Sequence, residues 1–172
     1  MGLMTTSDIA APPSAGWLAA DQQELWRAWV KASTLLPDTL SRELYEKHGL
    51  SLADYEVMVH LSEGSERRLR MSELAERTLV SRSRLTHQID RMARAGWVER
   101  RPCSEDRRGS WAVLTQAGFD LLVQAAPTHV DGVRAHLVDL LGPTAFGELG
   151  TACGRVSDHL DTVRGDICDA EL

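Results

Sequence analysis

Twelve arginines lie between Glu66 and Arg108 against seven acids, a local net charge of +5 in a chain whose formal charge is −6. The remainder of the chain therefore carries −11. A guanidinium is permanently charged, and its planar fork of donors matches phosphate oxygens and the guanine edge. The chemistry this gathers is phosphate binding rather than bond-making. Composition alone fits a solvated arginine-rich surface equally well. Two stretches concentrate the charge with other hydrogen-bonding side chains: "SRSRLTHQIDRMAR" from Ser81 and "CSEDRRGS" from Cys103.

Other chemistries find no support. There is no G-x-S-x-G, no phosphate-binding glycine loop and no metal-ligand spacing, so neither an enzyme nor a cofactor is expected. His129, His136 and His159 form no compact cluster with cysteines or carboxylates, and no metal site is assigned. The cysteines Cys103, Cys153 and Cys168 are odd in number and form no C-x-x-C pair, which fits a reducing cytoplasm. No run of 18 apolar residues occurs, so no membrane span is expected. The N-terminus lacks the pattern of a secretory signal. Gly2 and Thr6 match the short myristoylation pattern, but no second membrane signal accompanies it. Residues 1–16 read as a disordered tail.

The elements that must position the arginines follow from periodicity. Leu25, Trp26, Trp29, Val30, Leu36, Leu40 and Leu44 mark a first helix, which Pro37 should kink or restart and Gly49 should end. Ser51 caps a short helix through Tyr55, Met58 and Leu61. Gly64 breaks the chain, and residues 68–71 are extended. Ser72 then caps a short helix with Leu74 and Ala75 inward. "LVS" turns the chain, and Ser81 caps a longer helix ending at Gly96. A short helix, a tight turn and a longer amphipathic helix spell helix-turn-helix. "WVERRP" and "SWAVLT" are strands around the "CSEDRRG" loop, giving the winged form, with Trp97 in the core beneath the wing. Thr115 caps another long helix, which Pro127 should bend. A last helix starts at Pro143. Its Phe146, Leu149, Cys153, Val156, Leu160, Val163 and Ile167 step by three and four in turn, a heptad seam that predicts pairing with a second chain ahead of packing on the first helix.

On the helix from Ser81, Leu85, Ile89 and Met92 fall on one side and face the core. Ser83, Arg84, His87, Asp90, Arg91 and Arg94 fall opposite, with Arg82 and Thr86 flanking. The first turns of such a helix reach base edges. Arg82 or Arg84 can pair with guanine O6 and N7; Ser83 and Thr86 suit bases or phosphates; His87 suits either, according to its protonation. Arg91 and Arg94 suit phosphate or solvent, and Asp90 should pair with Arg94 or Arg91. At the hairpin tip, Arg108 can enter the minor groove, Asp106 can orient it, Arg107 can meet phosphate, and Gly109 permits the turn.

The sequence "SELAERTLVSRSRLTHQIDRMARAGWVERRPCSEDRRGSWAVLTQAG" resembles the MarR family of bacterial transcription regulators. The likeness rests on the D-x-R of the wing (Asp106, Arg108), the L-T-x-x-G after it (Leu114 to Gly118) and the D-R-M-x-x-x-G-W-V closing the helix. It is strong from Ser51 to Gly118 and looser over the flanking helices. It implies a mainly α fold, with a winged helix-turn-helix at 51–114 and a helical dimerisation region formed by 17–50 and 115–172. It implies a homodimer on double-stranded DNA with two modules in successive major grooves, acting in the cytoplasm as a repressor of adjacent genes. It further implies release by a small phenolic or carboxylate ligand. Trp26, Trp29, Tyr45, Tyr55 and His60 could line its cavity, although aromatics at helical spacing more often serve a core. Thiol-sensing relatives carry a reactive cysteine in the first helix, where this chain has none, which disfavours redox sensing. Arginines beside Cys103 favour its thiolate. A rival from another class is a helical dimerisation protein whose winged module binds protein; the arginine cluster argues against it.

Overall fold

The computed structural model describes residues 16–103 and 109–170, with side chains of the last helix described to Arg164. Residues 1–15 of the segment expected as a tail, and Asp106, Arg107 and Arg108 of the wing tip, lie outside the described residues. So do the side chains of Ile167 and Cys168. The order of elements is α1 (Ala20–His48), α2 (Leu52–Glu63), β1 (Arg68–Arg70), α3 (Met71–Arg77), α4 (Arg82–Arg94), β2 (Val98–Pro102), β3 (Ser110–Leu114), α5 (Gln116–Val133) and α6 (Asp139–Ala170). One π-helical turn, Arg134–Val138, links α5 to α6. The chain divides into two compact units, Met1–Pro37 and Asp38–Leu172, with the division inside α1.

Three helix starts are set by side-chain caps. Ser51 accepts from Asp54 N, Ser81 from Arg84 N and Thr115 from Gly118 N, each satisfying an amide that the first turn leaves open. Ser72 is not a cap. α3 begins at Met71 with Arg70 in the cap position and no side-chain cap bond. Strand pairing explains the shift: Arg70 pairs with Trp111, and its extended backbone (φ −64°, ψ 143°) delivers the chain straight into the helix. α1 runs through Pro37 as one element, with no restart. α6 is interrupted at Gly142 (φ 69°, ψ 171°), so the run from Pro143 is a fresh helical stretch, as its sequence suggests.

The second unit holds the core. Leu44, Leu50, Met58, Leu61, Leu74, Leu85, Ile89 and Met92 are fully buried there. A three-stranded antiparallel sheet in the order β1-β3-β2 closes one side, with Leu69, Ala112, Leu114 and Val98 turned inward. Trp97 is half-buried and packs on the core from the corner between α4 and β2. Thr115 docks α5 on that corner: its Oγ1 lies 2.7 Å from Gly96 O and 3.0 Å from Trp97 O. Gly118 completes the contact, since a Cβ there would sit 2.2 Å from Trp97 O. Farther along, Thr128 Oγ1 meets His48 Nε2 at 2.9 Å, and His136 Nε2 meets Glu43 Oε1 at 2.8 Å. In the first unit, Leu25, Trp26, Trp29 and Val30 are exposed along α1.

Between α2 and α5, Tyr55 stacks on His129 with ring centroids 4.6 Å apart. His129 Nδ1 is buried and makes no hydrogen bond. Burial pushes this imidazole below its ordinary range, and Glu56 draws it back only in part. The unfolded chain therefore takes up the proton first. The folded state is unpenalised above the unfolded value, near 6.5, and loses stability as pH falls below it through the lower folded value. His129→Phe keeps the stack and removes the titration. In urea unfolding at fixed protein concentration, the variant should gain on the wild type between about pH 7.5 and pH 5; a constant gap across that range contradicts the assignment.

Candidate nucleic-acid interface

α4 is the element that everything around it positions. Its edge Leu85, Ile89, Met92 has no exposure at all. Helical geometry then leaves Ser81, Arg82, Ser83, Arg84, His87, Arg91 and Arg94 exposed, with Thr86 and Asp90 half-exposed at the flanks. The face expected from the sequence is thus the face presented. Thr86 Oγ1 donates to Arg82 O at 2.8 Å, leaving its lone pairs outward.

Two polar ties fix the rotation of α4, and neither is the expected one. Asp90 pairs with Arg100 of β2 at 3.1 Å, not with Arg91 or Arg94. Arg94 Nε instead donates to the Asp90 carbonyl at 3.2 Å. Arg91 reaches across to Asp54 of α2 at 2.6 Å, and Gln88 Nε2 donates to the same Oδ1 at 3.0 Å. Asp54 is only 4% exposed. Its Oδ2 accepts from the Ser51 hydroxyl at 2.8 Å, so both carboxylate oxygens are engaged. A buried carboxylate without such partners is costly, which makes Asp54 a fixed peg between the α2 cap and the middle of α4.

Beside α4 the surface opens into a cavity of about 330 Å³ lined by Arg70, Met71, Ser72, Arg82, Thr86, Arg100, Gly109 and Ser110. Three arginines, from β1, α4 and β2, line it. Arg70 is backed by the Trp111 ring at 5.2 Å, and Arg68 lies over the same ring at 4.8 Å while pairing with Glu66 at 2.8 Å. Trp111 is therefore half-buried between arginines. Arg70, Arg100 and Asp54 are not marked by the helix periodicity. The available signals were the strand alternation that puts Arg70 and Trp111 in register, and the S-x-x-D spacing of Ser51 and Asp54.

The remaining expected residues differ in exposure. Within the first unit, Trp26 and Trp29 are exposed; within the second, Tyr45 is exposed, His60 is half-buried, and Tyr55 lies in the core. Cys103 is 6% exposed at the base of the wing, its amide donating to Gly109 O at 3.1 Å, so its thiol is shielded rather than presented. On α6, Leu149 and Cys153 are half-buried, whereas Phe146, Val156, Leu160 and Val163 are exposed. No group of three or more metal-ligating side chains occurs among the described residues. None of their helices is long and apolar enough to cross a membrane.

Residues 48–109 match the MarR family model. The chain is 30% identical over 131 residues to the HTH-type transcriptional regulator PecS of Dickeya dadantii, covering 74% of this chain and 76% of that one. It belongs to the MarR family. MarR-family regulators of Streptomyces coelicolor share its architecture. AbsC is 42% identical with a TM-score of 0.81, over 86% of this chain and 99% of that one. Sco3205, solved in complex with DNA, is 41% identical with a TM-score of 0.82, over 85% and 92%. The MarR assignment makes the chain a transcription regulator rather than an enzyme.

The Asp54 peg carries a checkable consequence. Asp54→Ala leaves Gln88 and Ser51 without their acceptor, at a cost of roughly 1–3 kcal/mol. Exposed Arg91 regains water, which keeps the loss from being larger. Asp54→Asn retains an acceptor and should lose less. Thermal melts that place all three proteins together contradict the peg.

Proposed function

We propose that the chain is a homodimeric, sequence-specific regulator of transcription that binds a pseudo-palindromic duplex, represses adjacent genes in the cytoplasm and is released by a small phenolic or carboxylate ligand. The observation that carries the DNA reading is the exposed Ser81–Arg94 face of α4 set beside the three-arginine cavity. The structure of Sco3205 with DNA, at 41% identity, supports it.

Arg82 or Arg84 takes a guanine edge, Ser83, Thr86 and His87 complete the base contacts, and Arg91 and Arg94 flank them. Arg70 and Arg100 hold a backbone phosphate at the mouth of the cavity. The wing tip adds Arg108 in the minor groove with Asp106 to orient it, Arg107 on phosphate and Gly109 permitting the turn. The winged module at 51–114 is the DNA-binding part, and 17–50 with 115–172 form the dimerising part. The second copy covers the α6 seam: Val156, Leu160 and Val163 are exposed at heptad spacing, and burying such side chains is worth roughly 1.5–3 kcal/mol each.

Three measurements test this reading. By fluorescence anisotropy, Arg70→Ala should weaken specific and random duplexes alike and reduce the salt slope by about 1. Arg84→Ala or His87→Ala should relax base preference. Unchanged slopes and unchanged discrimination would remove both groups from the interface. In sedimentation experiments, Leu160→Asp should convert a dimer to monomer at micromolar concentration; a variant that stays dimeric moves the interface elsewhere.

A further inference from the structure

Among the described residues, α1, α3 and α4 each close on a residue with positive φ. α1 ends at Gly49 (φ 66°) and α4 at Gly96 (φ 80°), where glycine meets the left-handed conformation without a Cβ clash. α3 ends at Leu79, with φ 55°. The closing hydrogen bonds are the same in α3 and α4. Leu79 N donates to Glu76 O and Val80 N to Ala75 O, both at 3.3 Å, as Gly96 N donates to Ala93 O and Trp97 N to Met92 O, both at 3.0 Å. One motif is thus built once with the residue it favours and once with a branched apolar side chain that strains it.

The fold gives Leu79 nothing in return. Val80, the next residue, makes the inward contact and packs on the core. Leu79 itself is 69% exposed, an apolar group amid exposed polar and charged side chains. It stands two residues before the Ser81 cap, at the head of the exposed run Ser81–Arg84. Residues held in sparsely populated backbone regions cluster at functional sites.

We infer that Leu79 is a DNA-contacting residue whose side chain lies against a deoxyribose of the sugar–phosphate backbone at the entry of α4. This rests on the DNA-binding reading and extends it to an apolar contact. The residue precedes the helix, behind the turn that reaches base edges, so its partner is backbone rather than base. Phosphates call for cations, and the sugar face is the part of the backbone a leucine can cover.

The test compares wild type, Leu79→Gly and Leu79→Ala on a duplex enriched by selection from a random pool and on a random duplex. The glycine variant relieves the backbone and removes the side chain; the alanine variant removes the side chain and keeps the strain. Both should bind each duplex about five-fold more weakly, with the salt slope unchanged, because no counterion is released by an apolar contact. The glycine variant alone should melt a few degrees higher than wild type. Affinities within two-fold of wild type for either variant overturn the contact. A loss confined to the enriched duplex overturns its placement on the backbone. Wild type that binds neither duplex overturns the DNA reading itself, and this inference with it.

Discussion

A thirteen-residue helix carrying Arg82, Arg84, Arg91 and Arg94 can be held to a protein only by what lies on its other side. Here that is a narrow apolar edge, Leu85, Ile89 and Met92, each fully buried. The edge sets which residues face out, because at about 100° per residue a shift of one position would bury Arg84 and Arg91 in one direction or Asp90 in the other. Two ion pairs then lock the rotation from opposite flanks. Asp54 holds Arg91 and Gln88 from α2, and Arg100 holds Asp90 from β2. The outward face is a consequence of this three-point grip, and so is the approach of Arg82 to Arg70 and Arg100 around one cavity.

Charge is distributed to the same end. Among the described residues of the basic region, four acids are committed to neighbours: Glu73 to Arg77, Asp90 to Arg100, Glu99 to Arg101 and Glu66 to Arg68. These half-exposed pairs add little stability singly. Their effect is directional, since a paired arginine is held in place and a paired acid no longer projects toward an incoming phosphate. The strongly acidic remainder of the chain disfavours binding of duplex elsewhere on the surface.

Local signals made much of this legible in the sequence. Ser51, Ser81 and Thr115 cap the helices they were expected to cap, both wing strands lie where alternation put them, and the buried edge of α4 is the one its periodicity gives. What escaped was set by tertiary pairing. Arg91 meets an acid 37 residues away, and Asp90 one partner on another element, because strand and helix positions outcompete the neighbour at i,i+4. Met71 rather than Ser72 opens α3 because β1 fixes Arg70 first. Leu79 reads as an ordinary apolar residue until its backbone angle is known.

The central claim is that two copies of this face read one duplex. Selection of bound sequences from a random duplex pool tests it most directly. A two-fold symmetric consensus with half-sites about one helical turn apart is the expected result. An asymmetric site, or no consensus at all, would contradict it.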